Sequence, residues 1–73
     1  MARPLSLPRS VTLPAARDGL VPVGRLYAAI GWQRQRAFAM RQRYNFPEAV
    51  NGLIDVQQAA VWLIRRGVSV NFV

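Results

Sequence analysis

The sequence predicts a mainly α-helical domain with one small β hairpin. Three observations carry this: three segments with helical punctuation, one Asn-Gly pair between short apolar runs, and a length of 73 residues that leaves room for a single small core. The chain has no cysteine and no histidine. Disulfides and His/Cys zinc sites, the usual staples of small domains, are therefore excluded, and binding to a partner is the remaining source of extra stability.

The organisation reads as a basic extended arm over 1–19, a folded domain over 20–67 and a strand-like tail over 68–73. Three of the five prolines interrupt the arm, which ends on the turn signal Asp18-Gly19. Within it Ser10–Leu13 has the composition of a short strand, and Arg3, Arg9 and Arg17 make it basic. An arm of this kind lies along a nucleic-acid backbone or is simply an unstructured terminus.

The first helix is expected from Pro22, whose fixed φ suits the first helical position. Val23, Leu26, Tyr27 and Ile30 follow at the spacing of one buried face, and Gly31 provides the left-handed C-terminal cap. The second helix is expected over Gln33 to Tyr44. Ala37, Met40 and Tyr44 turn to the core, while Gln35, Phe38, Ala39 and Gln42 lie opposite. Arg34 and Arg41 border that strip on one side, Arg36 and Arg43 on the other. Pro47 forbids continuation.

Glu48-Ala49-Val50, Asn51-Gly52 and Leu53-Ile54 then read as a tight hairpin with a type I′ turn. Asp55 is an N-cap for the third helix, with Gln58 completing a capping box. Val56, Ala59, Ala60 and Leu63 form its inner face, with Trp62 in the core and Gly67 ending the helix after Arg65 and Arg66. This helix is apolar beyond one face. The tail Val68-Ser69-Val70-Asn71-Phe72-Val73 alternates like a half-buried strand that pairs with Ser10–Leu13 or with another subunit.

Ten arginines face three acids (Asp18, Glu48, Asp55), and the net charge is +7. So strong a field favours a polyanionic partner. Guanidinium matches phosphates and guanine edges bidentately. The basic second helix, with no acid among its arginines, is the expected contact: amides meet base edges while guanidiniums reach the phosphate walls. With three scattered carboxylates and neither His nor Cys, catalysis, metal sites and cofactors are not expected. No apolar run approaches the ~20 residues of a membrane span and no signal peptide is evident, so a cytoplasmic protein is expected.

The order of helix, Gly-Trp turn, basic helix, aromatic-Pro, hairpin and capped helix resembles the excisionase/MerR-like winged-helix regulators of phages and mobile elements, with the AlpA and Cox groups nearest in pattern. Leu26-Tyr27-Ala28-Ala29-Ile30-Gly31 looks like that family's first helix and its glycine. Asn45-Phe46-Pro47 looks like the segment after the recognition helix, and Asp55 through Trp62-Leu63 like the closing helix. Val11-Thr12-Leu13 is similar to the start of Cox-like proteins. The likeness covers roughly residues 11–66. It departs at Trp32-Gln33-Arg34-Gln35, where members usually place Ser or Thr, and in a short wing without a basic tip.

The resemblance implies a winged helix-turn-helix and sequence-selective binding of double-stranded DNA in a bacterial nucleoid. Such a protein acts as an excisionase (a recombination directionality factor) with an integrase partner, as a transcriptional regulator, or as both. The DNA-binding residues expected are Arg34, Gln35, Arg36, Phe38, Arg41, Gln42 and Arg43, with Asn51 and Gly52 of the wing and Arg9 and Arg17 of the arm. A homo-multimer on DNA is expected from the small core, the apolar third helix and the uncovered tail. Two readings from other classes stand beside this one: an RNA-binding basic module, for which Phe38 is the one exposed aromatic candidate, and an inhibitor docking on an acidic host protein.

Overall fold

The computed structural model describes residues 7–73; Arg3 lies outside them. Seven elements follow in order: β1 (Ser10–Leu13), β2 (Leu20–Pro22), α1 (Val23–Ile30), α2 (Arg34–Tyr44), β3 (Leu53–Asp55), α3 (Val56–Ile64) and β4 (Ser69–Phe72). The class is mixed α/β, with three helices as expected but two two-stranded sheets where one hairpin was expected.

β1 and β4 pair in parallel, Ser10 opposite Ser69 through Leu13 opposite Phe72. Bonds outside the strands extend the ladder at both ends: the Ser69 amide donates to the Arg9 carbonyl at 2.9 Å and the Val73 amide to the Leu13 carbonyl at 3.0 Å. Val11 and Leu13 are buried, as is Val68 at the entry to β4. This redraws the expected boundaries. The described part of the arm and the tail are integral to the domain: they pair residue by residue, and Val11, Leu13 and Val68 are buried where they meet the core. Of the two partners expected for the tail, Ser10–Leu13 of the same chain is the one observed.

β2 and β3 are antiparallel, with Val21 opposite Ile54. The Asn51-Gly52 turn forms as the sequence predicts, with φ of 55° and 78°, closed by reciprocal bonds between Val50 and Leu53 at 2.8 and 3.0 Å. The hairpin it should have started stops at that one bridge. β3 takes β2 as its partner instead, and β2 was not expected. Three residues ending on proline give no periodic signal, and proline is tolerated in a two-stranded ribbon because its missing N–H costs no ladder bond on the open side. Pro22 is accordingly the N-cap of α1, and the helix starts at Val23, one residue later than expected.

The ribbon continues into both helices. The first amide of α1 (Val23) donates to the Gly52 carbonyl, and the first amide of α3 (Val56) to the Gly19 carbonyl, each at 2.9 Å. Two helix starts that would otherwise leave donors unpaired are thus tied to each other's approach strand. The inner face of α3 is buried as predicted, and Asp55 caps it by accepting from the Gln57 and Gln58 amides at 2.9 and 3.3 Å. α3 ends at Ile64, earlier than its two arginines suggested, and Gly67 turns the chain into β4 with φ of 85°.

An aromatic knot holds the helices together. Phe46 lies edge-on to Trp32 (centroids 5.0 Å apart) and to Trp62 (4.9 Å), and Tyr27 approaches it at 6.3 Å. Edge-to-face packing sets positive ring edges on negative faces and adds to simple area burial. Phe46 is 2% exposed, so this residue after α2 belongs to the core while its neighbours Asn45 and Glu48 stay exposed.

Candidate nucleic-acid interface

α1 and α2 are joined by three residues, 31–33, in which Gly31 takes the left-handed conformation (φ 93°) and Trp32 is buried. α2 touches the core through Ala37 and Met40, with Tyr44 partly buried. The remainder of its surface is open: Arg34, Gln35, Arg36, Phe38, Gln42 and Arg43 are exposed, and Ala39 and Arg41 are half-buried. The expected polar strip and its flanking arginines therefore share the outward side of one helix, the phase that Ala37 and Met40 dictate. Phe38 is 53% exposed, and the Arg41 guanidinium sits 5.7 Å from its ring centroid. That cation–π contact covers part of an apolar ring that would otherwise stand bare on a charged face.

The start of α2 is uncapped. Gln33 is extended and makes no side-chain hydrogen bond, and the first turn holds no acid. Its first amides and the positive end of the helix dipole thus lie beside Arg34 and Arg36, with no acid of the helix's own first turn.

The far end of α2 is fixed firmly, by residues the sequence reading did not select as functional. Asn45 closes it in the left-handed conformation (φ 58°), its amide donating to the Met40 carbonyl. Trp62 Nε1 donates to the Tyr44 carbonyl at 2.9 Å. The Arg66 guanidinium lies 4.0 Å from the Trp62 ring centroid and donates to the Trp62 carbonyl (3.3 Å) and to the Tyr44 carbonyl (3.4 Å). Arg66 is four residues beyond Trp62, a helical-neighbour spacing that was readable as a contact; only the fold brings Tyr44 to both.

Arg9, Arg17, Asn51 and Gly52 belong to other regions. Arg9 precedes β1 and Arg17 lies in the turn before β2, both with exposed side chains. Among the described residues no hydrogen bond or ring contact joins either to α2. Asn51 and Gly52 form the exposed tip of the β3 turn. Below them a groove of about 360 Å³ is lined by Glu48, Asp55, Leu20, Val50 and Leu53.

The carboxylates are not scattered. Glu48 and Asp55 line that groove beside Leu20, and Asp18 accepts from the Leu20 amide at 3.1 Å. All three acids of the chain thus gather at the β2–β3 ribbon, a clustering that arises only when β2 pairs with β3.

Comparison with family models, with characterised proteins and with solved structures gives no match. Among the described residues no group of three His, Cys, Asp or Glu side chains is placed to hold a metal ion, and no helix is long and apolar enough to cross a membrane.

Proposed function

We propose that the chain is a sequence-selective double-stranded DNA-binding protein of the winged helix-turn-helix type, with α2 as the recognition helix in the major groove. The observation that carries this reading is the outward side of α2. It bears the exposed Arg34, Gln35, Arg36, Gln42 and Arg43 with the half-buried Arg41, and it contains no acid. Four like charges on one helix repel each other, and a polyanion relieves that repulsion. The glutamines between them have the donor and acceptor pair that reads adenine. A three-residue turn containing glycine between α1 and α2 fits the helix-turn-helix, and in this reading the Asn51-Gly52 turn serves as the wing.

The biological role follows the resemblance: excisionase, promoter regulator, or both, for a phage or mobile element, with an integrase as the protein partner. Selection of binding sites from a randomised duplex pool tests the first part. Enrichment of one motif, lost when Gln35 and Gln42 are both replaced by Ala, supports the reading. A pool that stays random while the protein binds tightly to single-stranded RNA or to an acidic protein rejects it. Addition of the chain to an in vitro integrase reaction on attachment-site DNA tests excision separately.

A further inference from the structure

Two surface grooves formed by the described residues carry opposite charge. The groove under the wing holds Glu48 and Asp55 and no arginine. The second groove, about 340 Å³, lies between the C-terminal ends of α2 and α3, and its lining includes Asn45, Val61, Arg65 and Arg66 but no carboxylate. Both grooves adjoin the proposed DNA-binding elements, one through the wing and one through α2, and a phosphate backbone is repelled by the first.

Helix C-terminal ends ordinarily repel anions, because their last carbonyls face outward and carry the negative end of the dipole. Here two of those carbonyls are already taken up by donors. The Tyr44 carbonyl accepts from Trp62 Nε1 and from Arg66, and the Trp62 carbonyl accepts from Arg66. Arg66 is occupied by these bonds and by stacking on Trp62. Arg65, its neighbour, is exposed at the same groove and makes no side-chain hydrogen bond among the described residues. Asn45 is exposed beside it, directly after the turn of α2 that carries Arg41 and Arg43.

We infer that a DNA phosphate docks at this groove, bound by Arg65 with Asn45 alongside, so that the duplex backbone leaves α2 over the end of α3 and not across the wing. The inference rests on the DNA-binding reading of α2 and extends it to two residues outside the recognition helix. Arg66 is a positioning residue in this arrangement: it neutralises the carbonyls and fixes the end of α2, while Arg65 makes the ionic contact.

The test is an anisotropy titration of a short random-sequence duplex with the full chain, at salt concentrations from about 50 to 200 mM, because phosphate contacts are read in the salt slope. Arg65→Gln is expected to flatten the slope of log K against log salt by about one phosphate equivalent (~0.9) with an unchanged thermal melt, and Arg65→Lys to restore it. Glu48→Gln is expected to leave slope and affinity as they are. An Arg65→Gln slope equal to that of the parent overturns the inference. So does tighter binding by Glu48→Gln, since that is the effect of removing a carboxylate that faces phosphate. Binding that depends on Arg34 and Arg36 but not on Arg65 rejects this inference alone, whereas a parent chain that fails to bind even at low salt rejects the DNA reading and this inference together.

Discussion

α2 and α3 are built to opposite rules. α3 has nine residues, five of them buried, and an Asp55 side chain accepting two amides at its start. α2 has eleven residues, two of them buried, and no side-chain cap. α3 is stabilised by its own burial and capping. α2 gains little from either and is held mainly at its ends, by buried Trp32 on one side and by the Asn45–Phe46–Trp62–Arg66 contacts on the other. The difference shows that a helix with a polar, cationic surface and little burial of its own is secured by its neighbours.

The contrast predicts which changes unfold the chain and which alter only binding. Removal of residues 68–73 should have the largest effect, loss of the cooperative fold by circular dichroism, because it takes away β4 and buried Val68 together. A truncated chain that melts like the parent would show that β1 needs no partner. Phe46→Ala should come next, at about 3–5 kcal/mol in a urea titration, a large share of the stability of so small a domain. Within α2, Gln35→Ala or Gln42→Ala should keep the parent stability yet cost about 1–3 kcal/mol at the preferred DNA site and little on scrambled DNA. Competition between the two duplexes measures this, and an unchanged preference would mean that other residues read the bases.

The smallest effects sharpen the comparison most. Asp55→Ala should destabilise by about 1 kcal/mol through loss of the α3 cap. Gln33→Asp should do the reverse at α2, raising the melting temperature by supplying a cap and a favourable charge at the dipole. The same substitution places a carboxylate at the uncapped start of α2 and should weaken DNA binding. If Gln33→Asp raised stability and left binding intact, the start of α2 would not face phosphate.

The helices were legible because each has local punctuation: Gly31 after α1, Pro47 beyond α2, Asp55 before α3. The face of α2 was equally legible, since Ala37 and Met40 leave only one phase for a basic helix on a small core. The sheets were harder. The Asn51-Gly52 turn is a local rule and formed as read, but its strand pairs with Leu20–Pro22, thirty residues away, and nothing in three residues announces that. Arg66 follows Trp62 at helical spacing, so that contact is local, but its hold on Tyr44 depends on two helix ends meeting in space. Arg9 and Arg17 were read as a basic arm along a nucleic-acid backbone, and the fold sets them before β1 and in the turn before β2.

The parallel pairing of β1 and β4 has a mechanical consequence. In a parallel ladder the chain enters at one end through Ser10 and leaves at the other through Val73. Tension applied to the two termini therefore pulls the strands lengthwise past each other, and every bond of the ladder bears the load at once instead of opening one at a time from an end. A pull on the outer ends of this chain meets its resistance at the seam between its first strand and its last.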